Sequence, residues 1–424
     1  MEIKNYKNRI IDSTLDLYLD TFGAVLIEGP KWCGKTWTAR KHSNSEILLA
    51  DSSGNFSKRQ LAMMNPNLVL DGARPRLIDE WQEVPPIWDA VRSDLDVHPQ
   101  KGKYLLTGSA TIDKSRYIHS GTGRIARLKM RTMSLYESGY SNGKISLLDI
   151  CLNRAPDCFT GDVELDTLLN YILVGGWPST IDESVQHGSL IAKKYMKAVL
   201  NEDIFKVDDV KRNPHKVELL LKSLARNEAT CATNKALIND IRANDCDEVS
   251  VNSITDYLDL LNRLYLTENI PPFSSRLRSS IRVKQAEKRH FVDPSLPCAL
   301  LNLTKEKMLS DMELLGFLFE SMVERDLLTY VESFGGKLFH YQDYNGHEMD
   351  AVIEMEDGSW CGIEIKLGAN RIEEAATNLK KINDIIGKEG GKTASSLCVI
   401  CGLSSAAYRR PDGVYVVPIT SLKN

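Results

Sequence analysis

An α/β protein of several domains, led by a parallel sheet, is what this sequence predicts, and three observations predict it. Short apolar runs alternate with polar, helix-like stretches through residues 1–140. A glycine-rich turn at 29–36 sits directly between one such run and a helix. After a largely helical middle, alternating helix and strand patterns resume from about residue 286. Alternation of this kind implies strands joined by crossover helices.

A chain of 424 residues is too long for one hydrophobic core, and roughly three domains are expected. The net charge of -4 argues against a wholly basic nucleic-acid coat and leaves room for a local basic patch. No stretch approaches the ~18 uncharged apolar residues of a membrane span. No apolar segment follows the charged N-terminus, so a secretory signal is not expected. The 9 cysteines are scattered along the chain and read as free buried thiols of a reducing compartment, the cytoplasm by default. His290, His340 and His347 lack the spacing of a zinc site.

The first domain, 1–140, has strand-like runs at 24–27, 47–49, 68–70, 77–78 and 104–106. After the first run comes Gly29-Pro30-Lys31-Trp32-Cys33-Gly34-Lys35-Thr36, which fits GxxxxGK[ST] between a strand and a helix. Glycines there let backbone N–H groups turn toward the phosphates of ATP. Lys35 is expected on the β/γ-phosphates and Thr36 on Mg2+. Arg76-Leu77-Ile78-Asp79-Glu80 delivers two acids at a strand end, Asp79 for the Mg2+ shell and Glu80 to polarise water. In Tyr104-Leu105-Leu106-Thr107-Gly108-Ser109, Thr107 or Ser109 is placed to sense the γ-phosphate or position water. Of Arg116, Arg124, Arg127 and Arg131, Arg124 is the choice for a finger on the nucleotide of a neighbouring copy, which would make the protein a homo-oligomer.

In this order these residues resemble an AAA-type ATPase family whose members join an N-terminal P-loop domain to a C-terminal DUF4143 domain. The resemblance is carried by Arg9-Ile10-Ile11-Asp12 through Phe22-Gly23-Ala24-Val25, Gly29-Pro30-Lys31, Leu77-Ile78-Asp79-Glu80-Trp81-Gln82, Leu106-Thr107-Gly108-Ser109, Gly123-Arg124, Gly175-Gly176-Trp177-Pro178 and Glu364-Ile365-Lys366. It covers nearly the whole chain and implies ATP binding and hydrolysis.

Residues 141–210 read as a helical lid, broken at Gly175-Gly176-Trp177-Pro178, where packing of Trp177 is the favoured role over a hinge. Residues 211–285 read as a winged-helix unit: Ser250-Val251-Asn252-Ser253 caps a helix over Ile254–Leu264, whose Ile254, Tyr257, Leu258, Leu261 and Leu264 share one face. The resemblance also implies a winged helix here. A basic stretch, 276–289, carries Arg276, Arg278, Arg282, Lys284, Lys288 and Arg289 as a candidate wing for DNA phosphates. Asp256 and Asp259 on the candidate recognition helix argue against base reading.

Residues 286–424 read as a restriction-endonuclease-like α/β domain. Period two puts Glu364 and Lys366 on one face of a strand and Ile363 and Ile365 on the other. Asp350 is expected on the adjacent strand, and Glu320 on the preceding helix adds a third carboxylate. Such carboxylates bind divalent metal, and a lysine beside them can position water. The pattern looks like the D…ExK core of nucleases. The alternative is a catalytically silent fold in a nucleotide-controlled switch that binds a protein partner.

Overall fold

A computed structural model describes residues 6–111, 120–208, 210, 212–245, 248–275 and 285–424. Five parallel strands form the first sheet: β1 (Ala24–Glu28), β2 (Ser45–Leu48), β3 (Arg76–Asp79), β4 (Tyr104–Gly108) and β5 (Ile125–Lys129), in the order β2-β3-β4-β1-β5. Central β1 is apolar on both faces because helices cover both, and Ala24, Val25, Leu26 and Ile27 are buried. Since all five run the same way, Glu28, Asp79, Gly108 and Lys129 end at one edge. Among the crossover helices are α1 (Ile11–Thr21), α2 (Lys35–Lys41), α3 (Ser53–Met64) and α4 (Pro86–Val97).

The run at 68–70 is not a strand. Pro66–Val69 forms a 3-10 turn, with the Asn65 side chain accepting from the Asn67 N–H at 3.1 Å and Pro66 in its first turn. Leu68 is exposed there, so local turn chemistry outweighs the apolar pattern.

The expected lid divides between two partners. Past α5 (Leu135–Ser138), β6 (Ile145–Ser146) pairs with the C-terminal β14 (Leu422–Lys423), and β7 (Cys158–Phe159) joins the edge of the C-terminal sheet. Between them, α6 (Leu147–Cys151) buries Leu147 and Ile150 in the core that holds Ile363 and Cys398. The helices α7 (Leu165–Val174) and α8 (Val185–Asn201) follow. Tyr195 and Met196 of α8 share a core with α9 (Pro214–Arg226), α10 (Asn234–Asp245) and α11 (Val251–Arg263). Ser250 caps α11, accepting from the Ser253 N–H at 3.1 Å, so the helix starts at Val251, three residues earlier than expected. After α11 the chain returns as a hairpin, with antiparallel bridges Thr267–Phe291 and Ile270–Lys288 and a third at Thr230–Arg289.

Three further helices, α12 (Ser295–Leu300), α13 (Lys305–Ser310) and α14 (Met312–Glu332), lead into the second sheet. Its strands are β8 (Lys337–Gln342), β9 (Glu348–Glu354), β10 (Trp360–Gly368), β11 (Ser396–Leu403), β12 (Ala406–Arg409) and β13 (Tyr415–Pro418), with α15 (Ile372–Lys388) crossing from β10 to the parallel β11. The order is β7-β12-β13-β11-β10-β9-β8. Ile363 and Ile365 pack in the core that holds α14, while the Glu364 side chain meets Asn378 of α15, the alternation expected for β10.

Buried polar groups join these parts. One Asp293 oxygen accepts from the Thr132 hydroxyl at 2.8 Å, the Gly176 N–H at 2.9 Å and Arg325 at 3.1 Å. The other accepts from Ser295, whose hydroxyl in turn takes the Trp177 indole N–H at 2.9 Å. Packing, not a hinge, therefore accounts for Gly175-Gly176-Trp177-Pro178: a Cβ on Gly176 would stand 2.1 Å from the Met133 carbonyl oxygen. Gly176→Ala is expected to destabilise the protein by at least about 2 kcal/mol, read as a lowered urea midpoint against wild type.

Candidate functional site

Gly29 leaves β1 where only a hydrogen side chain fits, since a Cβ would lie 2.1 Å from the Met130 carbonyl oxygen. Its N–H donates to the Gly108 carbonyl at 3.3 Å, so the loop starts between the ends of β1, β4 and β5. Cys33 is buried and turns its thiol inward, 3.7 Å from the Met130 carbonyl. Trp32 adopts a φ of 66° with its side chain 59% exposed, its ring 6.0 Å from Tyr195 on α8. Lys31 pairs with Asp203 just beyond α8. Two successive loop residues thus touch the far wall of the cleft.

Lys35 opens α2 nearly buried, its ammonium donating to the Gly29 carbonyl at 3.0 Å and the Pro30 carbonyl at 2.8 Å. Next to it, the Thr36 hydroxyl donates to Asp79 at 2.8 Å, and Thr107 donates to the same oxygen at 2.7 Å. Burial pushes the Asp79 carboxyl above its ordinary range, against the pull of these two hydroxyls. Glu80 adopts φ 54°, and its N–H donates to the Thr107 oxygen at 2.9 Å. Its carboxylate accepts from the Ser109 hydroxyl at 2.8 Å and from Gln82. The three sequence elements therefore converge, Thr107 on Asp79 and Ser109 on Glu80. They line a cleft of about 1650 Å³ whose other wall includes Pro178, Ile191, Phe205 and Val207.

At the C-terminal cluster, Lys366 stands between Asp350 at 3.0 Å and Glu364 at 2.6 Å. Asp350 also accepts from the Ile365 N–H at 2.7 Å. Glu320 does not join this pair. Its partner is Lys288, 2.5 Å away, which also reaches Glu324 at 3.0 Å and the Asp350 carbonyl at 2.7 Å. Burial pushes both Glu320 and Glu364 up to about 8. Burial opposes the charge of Asp350 too, but Lys366 and Lys288 outweigh it and hold that carboxyl below its usual range. Among the described residues no three His, Cys, Asp or Glu side chains are grouped to hold a metal ion, Glu320, Asp350 and Glu364 as they stand here included. Two ammonium groups occupy the space between the acids.

Three family models match the chain: an AAA domain over residues 21–139, a domain of unknown function (DUF8612) over 165–307, and a domain of unknown function (DUF4143) over 315–422. The chain is an AAA-type protein with a C-terminal DUF4143 domain. Among solved structures it is similar to a Walker-type ATPase of Pyrococcus abyssi, at 14% identity over 70% of this chain and 96% of that one, with a TM-score of 0.44. It is also similar to the Aeropyrum pernix ORC1 protein in complex with DNA, at 11% identity over 69% and 92%, with a TM-score of 0.25. These superpositions are loose. No curated protein matches the chain.

Arg124 lies at the opposite edge of the AAA sheet from the P-loop: its carbonyl accepts from the Ala24 N–H at 3.0 Å, and its half-exposed guanidinium pairs with Asp96 at 2.8 Å. It does not reach the cleft of its own chain. Arg127 pairs with Glu28 at 2.9 Å, and buried Arg131 with Glu268 at 2.6 Å and Glu332 at 2.7 Å. Arg116 and the stretch 276–284, including Arg276, Arg278, Arg282 and Lys284, lie outside the described residues. Of the basic stretch that remains, Lys288 is buried in the DUF4143 cluster, and Arg289 donates to the Ala232 carbonyl and Asn234. Lys288 is thus not the solvated basic residue that the charge run suggested. Arg9, Gln82 and Asp203, not proposed as site residues from sequence, all line the cleft. Among the described residues no helix is long and apolar enough to cross a membrane.

Behind the cluster, His290 lies 3.1 Å from Glu324 and 3.2 Å from Glu228. Burial disfavours the imidazolium, but the two carboxylates outweigh it and raise the pKa from 6.5 to about 9. A raised folded-state value means that this stabilisation is complete below pH 6.5 and is lost as pH rises through about 9. Melting temperatures measured from pH 6 to 10 should therefore fall more steeply for wild type than for His290→Gln.

Proposed function

We propose that this chain binds ATP with Mg2+ and hydrolyses it in the cleft between the AAA sheet and α8. The observation that carries the reading is the shared Asp79 oxygen, which takes hydroxyl hydrogen bonds from Thr36 at 2.8 Å and Thr107 at 2.7 Å with Glu80 alongside. Hydroxyl and carboxylate oxygens are the donor set a hard divalent cation takes, and the buried Asp79 is held by neutral partners, so Thr36 and Asp79 fit Mg2+. Bound there, the ion would neutralise charge on the phosphates. Lys35 would exchange its two loop carbonyls for phosphate oxygens. Glu80, held by Ser109 and Gln82, would orient and deprotonate the attacking water. A role for Arg124 on a nucleotide requires a second copy of the chain.

The signal would leave the cleft along β4. Two residues past Ser109, the Thr111 N–H donates to the Arg263 carbonyl at 2.8 Å, and its hydroxyl meets the Tyr265 hydroxyl at 2.8 Å. Nucleotide state is thereby coupled to α11 and the hairpin, whose order of helices and strands supports a winged-helix reading. DNA contact then rests on residues 276–284.

For the DUF4143 domain we favour a nuclease-like fold that is catalytically silent. The helix, three strands, helix, strand order from α14 to β11 supports the fold, and Lys288, which lies outside the D…ExK pattern and takes up Glu320, supports the silence. The chain then works as a nucleotide-controlled switch that binds a partner.

Lys35→Ala is expected to abolish ATP binding in titration calorimetry. Glu80→Gln should keep binding and lose turnover by about 10²–10⁴-fold in a phosphate-release assay. Equal turnover by Glu80→Gln and wild type would refute the assigned role. Supercoiled plasmid incubated with the protein, ATP and Mn2+ should stay intact. Cuts by wild type that vanish in both Asp350→Ala and Lys366→Ala would show an active nuclease instead.

A further inference from the structure

The N-terminal segment ahead of α1 reaches the nucleotide loop through one side chain. Arg9 is buried, and its guanidinium donates from Nη1 to the Cys33 carbonyl at 2.8 Å, from Nη2 to the Arg131 carbonyl at 2.8 Å and from Nε to Glu137 at 2.9 Å. Those acceptors belong to three separate pieces: the P-loop, the tail of β5 and the first helix after it. Glu137 is itself immobilised. One of its oxygens takes the Ile10 N–H at 2.8 Å, and the other takes the Ser134 N–H at 2.8 Å in a capping box. The planar fork of arginine can meet three acceptors in fixed directions, whereas a lysine ammonium on a flexible stem cannot reproduce that set.

The hydrogen bond to Cys33 has a consequence one atom further on. A trans peptide is planar, with its carbonyl and N–H pointing in opposite directions. Holding the Cys33 carbonyl against Arg9 therefore turns the Gly34 N–H away from Arg9. That N–H has no acceptor among the described residues, and Gly34 lines the nucleotide cleft. Without the guanidinium, this peptide would be free to rotate, and the carbonyl could face the cleft and repel an anion.

We infer that Arg9 is a positioning residue for nucleotide binding: it fixes the orientation of the Cys33–Gly34 peptide and thereby presents the Gly34 N–H to the phosphates. This rests on the ATP-binding reading above and adds to it a residue outside the P-loop motif. The Glu137 carboxylate holds Arg9 in place, so it belongs to the same device at one remove.

The test is titration calorimetry of ATP and of ADP, each with Mg2+, on the full-length chain. Wild type is compared with Arg9→Lys, Arg9→Ala, Glu137→Gln and Leu95→Ala, with a melting curve for each. Leu95→Ala empties part of the core under α4, away from the loop, and serves as the control for a general loss of stability. Both Arg9 variants should weaken ADP and ATP by about ten- to a hundredfold, the effect of losing a charged hydrogen bond. KM should rise by more than kcat falls. Leu95→Ala should lower the melting temperature and leave the dissociation constants within about twofold of wild type. If the Arg9 variants do not fold, Glu137→Gln carries the same expectation at smaller size. Arg9 variants that bind within twofold of wild type, or a Leu95→Ala loss as large as theirs, overturn the inference while leaving ATP binding intact. Wild type that binds neither nucleotide removes the ATP-binding reading, and this inference with it.

Discussion

Asp293 is the carboxylate on which the arrangement of the molecule depends. It is fully buried, and it is tolerable there because its oxygens are satisfied by Thr132, Gly176, Arg325 and Ser295. A buried carboxylate without such partners would cost several kcal/mol. Its donors come from the exit of the AAA sheet, the turn after α7 and the long helix α14 of the DUF4143 domain. Meeting all of them leaves one relative placement for those elements. Arg131, one residue from Thr132, adds a parallel tie to Glu268 and Glu332. The β5 tail that carries both also packs against the P-loop, since Met130 presents its carbonyl to Gly29 and Arg131 presents its own to Arg9.

The two acidic sites use the same atoms to opposite ends. At the cleft, hydroxyls of Thr36, Thr107 and Ser109 hold Asp79 and Glu80 by neutral donors, and Lys35 acts on Asp79 only through its charge. In the DUF4143 domain, ammonium groups of Lys288 and Lys366 hold Glu320, Asp350 and Glu364, and the charge is compensated within the chain. A divalent cation gains most where the counter-charge is missing. The two sites therefore differ in the donors around their acids, hydroxyls at one and ammonium groups at the other, and not in the count of carboxylates.

Much of the nucleotide site was legible because its chemistry is local. Residues 29–36 follow one another, and Asp79, Glu80, Thr107 and Ser109 each stand at the end of an apolar run, where a parallel sheet must present them. The positions of Glu364 and Lys366 opposite Ile363 and Ile365 followed from period two. Lys288 was misread because a run of like charges looks solvated in one dimension, while this lysine meets Glu320 and Glu324 from a helix more than thirty residues on. Likewise β6 and β7 are too short to show a period, and their partners lie at the far end of the chain.

Sequence by itself determined the strands and helices with strong periods, the P-loop between β1 and α2, and the acids that follow it. These depend on φ/ψ preferences, on apolar spacing and on neighbours within a few residues, all of which are present before the chain folds. Tertiary structure alone decided which charges are answered. Lys288 closes the DUF4143 acids, Arg124 turns away from its own cleft, and Arg9 reaches across to the P-loop. The physical reason is range: a buried ion pair or a shared carbonyl depends on a few ångströms in space, and no spacing along the chain encodes that distance.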